Sequence, residues 1–220
     1  MFHNSSKHCY KQLTLNIYIK IDYHGLSNPN QITMFINQIL KKKLMAQQQY
    51  PSGLSIKDIP SNVSIPNQKI LVIPHGIGSY NINHLRNIPN ITLVDNIDPI
   101  YTSNDQSFES VVKTIVELRP SLVIAGSRGT ELVSRLITVN SEQRFMLLGG
   151  VHLDGVMNGE NKILLVHGTE DPNEKIEIVR GLTFNNKSRV KLVEVPSKSH
   201  DLSFDNKETI MDLINYSLSM

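Results

Sequence analysis

The sequence predicts an α/β protein with a doubly wound, mostly parallel sheet in a three-layer αβα arrangement. From Lys69 onward, short apolar runs alternate with amphipathic segments. Several runs are continuous in Val, Ile and Leu, which is typical of strands buried on both faces. Strands that alternate with helices form right-handed βαβ units and hence a parallel sheet. The predicted strands are 69–74, 91–95, 121–126, 144–150, 162–167 and 189–195.

Four segments around these strands carry apolar residues at helical spacing. The segment 107–119 ends before a proline, which cannot continue a helix, and 128–137 follows the next strand. A third helix is expected to begin at Pro172, a favoured first helical residue, and to stop near Gly181. The last predicted helix spans 206–218.

The first third of the chain has a weaker pattern and is rich in Asn, Gln, Ser and Lys. An alternating stretch, 13–21, predicts one strand, and 31–48 predicts a helix. The segment 50–67 contains three prolines and is predicted to be a connector. We therefore expect an N-terminal strand–helix extension, 1–67, that packs on a core formed by 68–220.

The composition excludes several classes of protein. Of 220 residues, 40% are hydrophobic and 19% charged, which is enough for a packed core. The net charge of +2 predicts no broad basic face and no nucleic-acid partner. The single cysteine, Cys9, excludes an intramolecular disulfide framework and a cysteine-based zinc finger. No apolar run is long enough to span a membrane and no signal-peptide core is present, so we expect a cytoplasmic protein without metal or cofactor.

Ligands of doubly wound sheets bind beyond the carboxyl ends of the strands, so residues there are the candidates for chemistry. Ser127 follows the run 121–126, within Ala125-Gly126-Ser127-Arg128-Gly129. A nucleophile on a sharp strand-to-helix turn needs small residues two positions before and after it. The helix N-terminus at such a turn stabilises an oxyanion. The alternative is a Gly-rich turn in which Ser127 only caps the helix.

Two further polar segments follow later strands. Asp171, in HGTEDP, is a candidate acid that orients a histidine, with an ordinary helix cap as the alternative. Glu170 beside it and Asp154, after an earlier strand, are the reserve acids. His200 lies in a polar loop between the last strand and the last helix, where a histidine can act as a general base near neutral pH. A solvent-exposed histidine without a role is its alternative.

The loop His75-Gly76-Ile77-Gly78-Ser79 follows the first apolar run. Its backbone N–H groups suit an oxyanion or a nucleotide phosphate. The loop lacks the third glycine of the dinucleotide fingerprint, and the sequence has no Gly-Lys-Ser/Thr phosphate loop. A nucleotide-binding domain is therefore the weakest alternative.

The order Ser…Asp…His, with each residue after a different strand, is that of α/β-hydrolases. Through the motifs PHGIGS, AGSRGT, HGTEDP and SKSHDL, the last two thirds of the chain resemble an α/β-hydrolase. The resemblance is to a small uncapped serine hydrolase of the dienelactone-hydrolase or carboxylesterase kind. It implies Ser127 as nucleophile, Asp171 as acid and His200 as base. It also implies that the N–H groups of Ile77 and Arg128 form the oxyanion hole.

The resemblance implies hydrolysis of an ester, thioester or amide bond of a small-molecule acyl substrate through an acyl-enzyme. Only 11 residues, 151–161, stand where many relatives insert a lid, so we expect an open pocket and favour a carboxylesterase over a peptidase. His75 and His167 match structural positions. Arg128 is unusual beside a nucleophile and predicts a preference for anionic substrates. The alternative function is a non-catalytic binding or scaffold protein on the same fold.

Overall fold

The structure is a computed structural model that describes residues 29–60, 68–73, 77, 79–86, 88–94, 105–137, 140–196, 198, 200, 202–204 and 207–220. The strands in this part of the chain are β1 (Leu54–Ser55), β2 (Ile70–Val72), β3 (Ile91–Leu93), β4 (Leu122–Gly126), β5 (Phe145–Leu148), β6 (Ile163–Gly168) and β7 (Val190–Val195). The helices are α1 (Pro29–Gln47), α2 (Ser79–Arg86), α3 (Asp105–Leu118), α4 (Gly129–Leu136), α5 (Ile176–Asn185) and α6 (Lys207–Ser219). Single 3₁₀ turns lie at Ile56–Asp58 and Val156–Asn158.

The strands form one sheet in the order β1-β7-β6-β5-β4-β2-β3, and all six neighbouring pairs are parallel. From β2 the chain moves outward to β3, returns past β2 to β4, and then continues in the opposite direction to β7. The direction of winding therefore reverses between β2 and β4. In open α/β sheets, the crevice beyond the carboxyl ends of the strands at this point is the usual ligand site.

Helices cover both faces of the sheet, and each face has its own core. Residues alternate along β4, where Val123 and Ala125 pack with α3, α4 and α5, while Leu122 and Ile124 pack with α2 and α6. Every residue of β4, β5 and β6 is buried, as their continuous apolar runs predict. The predicted doubly wound, three-layer fold is confirmed, and the described residues include no cap domain.

The connector predicted over 50–67 is wrong at Leu54–Ser55, which forms the edge strand β1 beside β7. Two residues are too short for a period to be read from the sequence. The pairing depends instead on distant groups, since the Gly53 N–H donates to the Glu194 carboxylate at 2.6 Å. A Cβ on Gly53 would lie 2.6 Å from the Leu192 carbonyl oxygen, so only glycine fits this approach to β7.

The third predicted helix is misplaced at both ends. The helix α5 begins at Ile176 rather than Pro172, and in the loop before it the Asp171 carboxylate accepts from the Asn173 N–H at 2.8 Å. Gly181 lies inside α5 rather than at its end. A Cβ there would come within 2.8 Å of the Tyr50 ring, so the glycine serves a close approach between segments.

The first third of the chain is described in part. The helix α1 covers most of the predicted helix 31–48, whereas the strand predicted at 13–21 lies outside the described residues. The chain divides into two compact units, Met1–Lys43 and Leu44–Met220, and the sheet lies in the second. The division after residue 67 stays a prediction about domain organisation.

Candidate active site

Ser127 occupies the sharp turn between β4 and α4. Its φ of 45° lies in the left-handed region, which is rare for a residue with a side chain. The conformation is held by hydrogen bonds on both sides: the Ser127 N–H donates to the Leu148 carbonyl at 3.1 Å, and the Ser127 carbonyl accepts from the Thr130 N–H at 3.1 Å. The neighbours Ala125 and Gly129 are buried, as the need for small residues predicts. The turn leaves Ser127 itself partly exposed.

His200 contacts the Ser127 hydroxyl directly. The His200 Nε2 atom lies 2.7 Å from Ser127 Oγ, and the Nδ1 atom lies 2.8 Å from Asp171 Oδ2. A carboxylate only accepts hydrogen bonds, so Nδ1 carries a proton and Nε2 of the neutral ring accepts from the hydroxyl. The imidazole is 28% exposed and can be reached by a reactant.

Asp171 is the acid that the structure brings to His200. Its side chain is fully buried, with one oxygen on the His200 ring and the other on the Asn173 N–H. Glu170 is exposed, and its N–H donates to the Lys198 carbonyl at 3.0 Å. Asp154 is followed by the 3₁₀ turn of the β5–β6 connection. Asp171 is thus the candidate acid whose carboxylate contacts the imidazole.

Arg128 and Ile77 are the two residues whose N–H groups are predicted to donate to an oxyanion. Arg128 directly precedes α4 with helical dihedral angles and an exposed side chain. Ile77 is 7% exposed and follows β2, the strand beside β4. No described residue accepts a hydrogen bond from either N–H group. Both amides lie beyond the carboxyl ends of adjacent strands at the winding reversal.

Two residues near the site were missed in the sequence. Gly149 follows β5 with a φ of 54°, and a Cβ there would lie 3.0 Å from the His200 carbonyl oxygen. The Thr130 hydroxyl contacts the carbonyl oxygens of both Ser127 and Val151, which ties the nucleophile turn to the end of β5. The Gly-Gly pair after a strand was a signal in the sequence for Gly149. Nothing in the sequence pattern points to Thr130.

His152, beside this contact, also has a positive φ of 55°. Its ring is 69% exposed and lies 3.5 Å from the Glu131 carboxylate. His167, predicted to be structural, is buried and lies close to Asp171. His75 and the glycines of the predicted phosphate or oxyanion loop lie outside the described residues.

The described residues contain no group of three His, Cys, Asp or Glu side chains placed to hold a metal ion. No helix within the described ranges combines the length and apolar character needed to cross a membrane.

No protein-family model matches the chain, and no curated protein is significantly similar to it in sequence. Solved structures are similar in fold. The esterase domain of a Rhodothermus marinus protein has a TM-score of 0.54 at 13% identity, over 76% of this chain and 90% of that one. A predicted CIB-like hydrolase from Thermoplasma acidophilum has a TM-score of 0.51 at 11% identity, over 71% and 89% of the two chains. A candidate α/β-hydrolase from Agrobacterium tumefaciens has a TM-score of 0.50 at 16% identity, over 73% and 87%. At sequence identities this low, only the folds can be compared. The fold of this chain is the α/β-hydrolase fold.

Proposed function

We propose that the protein is a serine hydrolase that cleaves an ester, thioester or amide bond of a small acyl substrate, and that it acts as a carboxylesterase. The observation that carries the proposal is the chain of two hydrogen bonds from Ser127 through His200 to Asp171. Each of the three side chains follows a different strand, so their meeting is a property of the whole fold. A helix-capping serine, an exposed histidine and a helix-capping aspartate would have no reason to form this chain.

The geometry supports an acyl-enzyme mechanism. Ser127 Oγ attacks the substrate carbonyl carbon while His200 Nε2 takes the hydroxyl proton. Buried Asp171 holds the ring through Nδ1 and stabilises the imidazolium that forms. The carbonyl oxygen becomes an oxyanion, and the N–H groups of Arg128 and Ile77 are the proposed donors to it. His200 then protonates the leaving group as its bond to the acyl carbon breaks, and water releases the acyl group by the same steps.

The preference for small esters rests on the short connection between β5 and β6. The β5–β6 connection, where a lid could be inserted, is a loop with one 3₁₀ turn at Val156–Asn158. Among the solved structures of similar fold, the Rhodothermus marinus protein is described as an esterase domain. Both observations favour a carboxylesterase over an enzyme that encloses a long substrate.

The proposal is tested by labelling with a fluorophosphonate and by hydrolysis of p-nitrophenyl acetate. We expect the wild type to be labelled and active. Ser127→Ala should lose the label and at least about 10³-fold in kcat/KM, as expected when a triad nucleophile is removed. Ser134→Ala is the matched control, because this hydroxyl lies in α4 and donates to the Glu131 carbonyl at 2.6 Å. A folded wild type without label or turnover across ester and thioester substrates would favour the non-catalytic binding protein.

A further inference from the structure

A second histidine lies behind the proposed catalytic acid. His167 is the penultimate residue of β6 and is 1% exposed. It precedes Asp171 by four residues, and its Nε2 atom lies 3.7 Å from Asp171 Oδ2. The same carboxylate oxygen accepts the hydrogen bond from His200. A polar ring is seldom placed in a strand core without a partner, so its contacts define what it does there.

The main contact of His167 is with the loop that carries the acid. Its Nε2 atom lies 2.7 Å from the backbone carbonyl oxygen of Glu174. A carbonyl oxygen has no proton to give, so Nε2 is the protonated nitrogen and donates. This hydrogen bond fixes the tautomer and turns the N–H edge of the ring toward the Asp171–Lys175 loop.

That loop has no regular structure to hold it in place. It lies between the end of β6 and the first residue of α5, and Lys175 before the helix is extended. Within it the Asp171 N–H donates to the Gly168 carbonyl at 3.3 Å, and the Asn173 N–H donates to Asp171 Oδ1 at 2.8 Å. The His167 ring is the side chain from β6 that reaches across to its far end. Its N–H therefore connects the end of β6 to the loop that carries Asp171.

A largely buried ion pair lies beside His167 on the neighbouring strand. His167 and Glu194 are register partners in the parallel β6–β7 pair, so their side chains project on the same side of the sheet. Glu194 accepts two hydrogen bonds from Arg180, at 2.8 and 2.7 Å, and one from the Gly53 N–H. Burial raises the pKa of Glu194, but the hydrogen bonds from Arg180 and Gly53 and the nearby His167 outweigh it and lower that pKa. The carboxylate beside the ring therefore stays ionised.

We propose that His167 is a positioning residue for the reaction, acting through the Glu174 carbonyl on the loop that presents Asp171 to His200. The inference rests on the proposed function, since Asp171 has a role in the reaction only if His200 is the base. Loss of the N–H should misplace the acid while leaving the substrate site intact. The expected signature is a lower kcat with little change in KM.

The test compares His167→Gln with His167→Asn. A glutamine amide places its N–H at the distance of Nε2, whereas an asparagine amide is one methylene too short. We expect His167→Gln to stay within about 3-fold of the wild-type kcat and His167→Asn to lose about 10- to 100-fold, the size of effect seen when a reacting group is displaced by about 1 Å.

Gln143→Leu is the matched control, because it removes a buried donor to the Pro120 and Arg144 carbonyls at the opposite end of the sheet. It should lower stability and leave kcat unchanged.

A second readout needs no turnover. The proton between His200 Nδ1 and Asp171 should give a far-downfield ¹H NMR signal in the wild type. We expect this signal to persist in His167→Gln and to shift or disappear in His167→Asn. Equal kcat values and unchanged signals in the two variants would overturn the inference. A wild type without turnover would count against the proposed hydrolase, whereas the NMR comparison would still decide the role of His167.

Discussion

Ser127 and Gly149 both have a left-handed backbone, with φ values of 45° and 54°, and the site depends on both. At Ser127 the conformation lifts the hydroxyl out of the sheet at a cost of order 1–3 kcal/mol, offset by the hydrogen bonds to Leu148 and Thr130. At Gly149 the absence of a side chain leaves room for the His200 backbone. A strained residue such as Ser127 at the end of a strand is typical of sites that position a reactive group.

Gly149→Ala should damage activity more than stability. The new Cβ would lie 3.0 Å from the His200 carbonyl oxygen and 3.6 Å from its Nδ1 atom, so the histidine loop must shift. We expect a loss of about 1–2 kcal/mol in the free energy of unfolding and a fall of about 10-fold or more in kcat/KM. Denaturant unfolding and ester hydrolysis measure the two effects.

Asn90→Ala is the control for this substitution, because Asn90 has a φ of 67° before β3, away from the site. It places alanine at another left-handed position without touching His200, and the added strain is smaller because Asn90 already carries a Cβ. Equal activity losses in the two variants would contradict the proposed role of Gly149.

Arg128 offers a second test at the residue scale. Its side chain is exposed directly after Ser127, and we propose that it favours substrates with a carboxylate. Arg128→Ala should lower kcat/KM for an acidic ester by about 10-fold, the order of a charge-assisted hydrogen bond, and leave a neutral ester unchanged. Arg128→Lys should recover most of the loss. If Arg128→Ala leaves the ratio of kcat/KM for the acidic and the neutral ester unchanged, the proposal is wrong.

At the scale of elements, the ion pair between Arg180 and Glu194 links α5 to β7. Through the Gly53 N–H, Glu194 also contacts the residue that precedes β1. The Glu194 side chain is 8% exposed and Arg180 is 23% exposed, so this ion pair is largely shielded from water. Removing one partner of such a pair leaves the other charge buried and uncompensated. The edge strand β1 is short, and the Gly53 contact with the same carboxylate holds the chain at its start.

Glu194→Gln should therefore lower the free energy of unfolding by about 3 kcal/mol at neutral pH. The folded-state pKa of Glu194 lies below its usual value, so the carboxylate adds stability above its unfolded pKa, about 4.3. That contribution is lost as the pH falls through the folded-state pKa. Denaturant unfolding of both proteins from pH 7 downward should show the difference closing below about pH 4.

The exposed pair Lys113–Glu117 provides the control for this measurement. Its side chains are 77% and 66% exposed at a separation of 3.9 Å. Glu117→Gln should change the free energy of unfolding by about 0.5 kcal/mol or less. A similarly small effect for Glu194→Gln would mean that the buried pair does not hold β1 and α5 to the sheet.

At the scale of the whole molecule, the sheet order explains why the three side chains meet. Ser127 follows β4 and Asp171 follows β6, with β5 between them. Two strand spacings separate these ends by about 10 Å, and the His200 ring bridges the gap. The chain leaves β5 through Gly149, which has no side chain to occupy the space beside His200.

The local pattern of the sequence was sufficient to predict the strands β2–β7, the two-sided burial of the sheet and the residue types that follow it. These depend on periodicity and on continuous apolar runs, which are read within a few residues. The start of α5 was predicted four residues too early, because the Asp-Pro start signal lies in the loop that precedes the helix. The strand β1 was missed because its pairing depends on β7, far along the chain.

The sequence by itself determined that a parallel sheet would form and that Ser127, Asp171 and His200 would each follow a strand. Only the tertiary structure decided that the Asp171 carboxylate contacts the histidine, and that His167 lies close to this carboxylate with Glu194 as its register partner. The physical reason is the distance along the chain over which each effect acts. Hydrophobic period and turn chemistry act over neighbouring residues, whereas hydrogen bonds between loops depend on strand order, register and space that exist only in the folded chain.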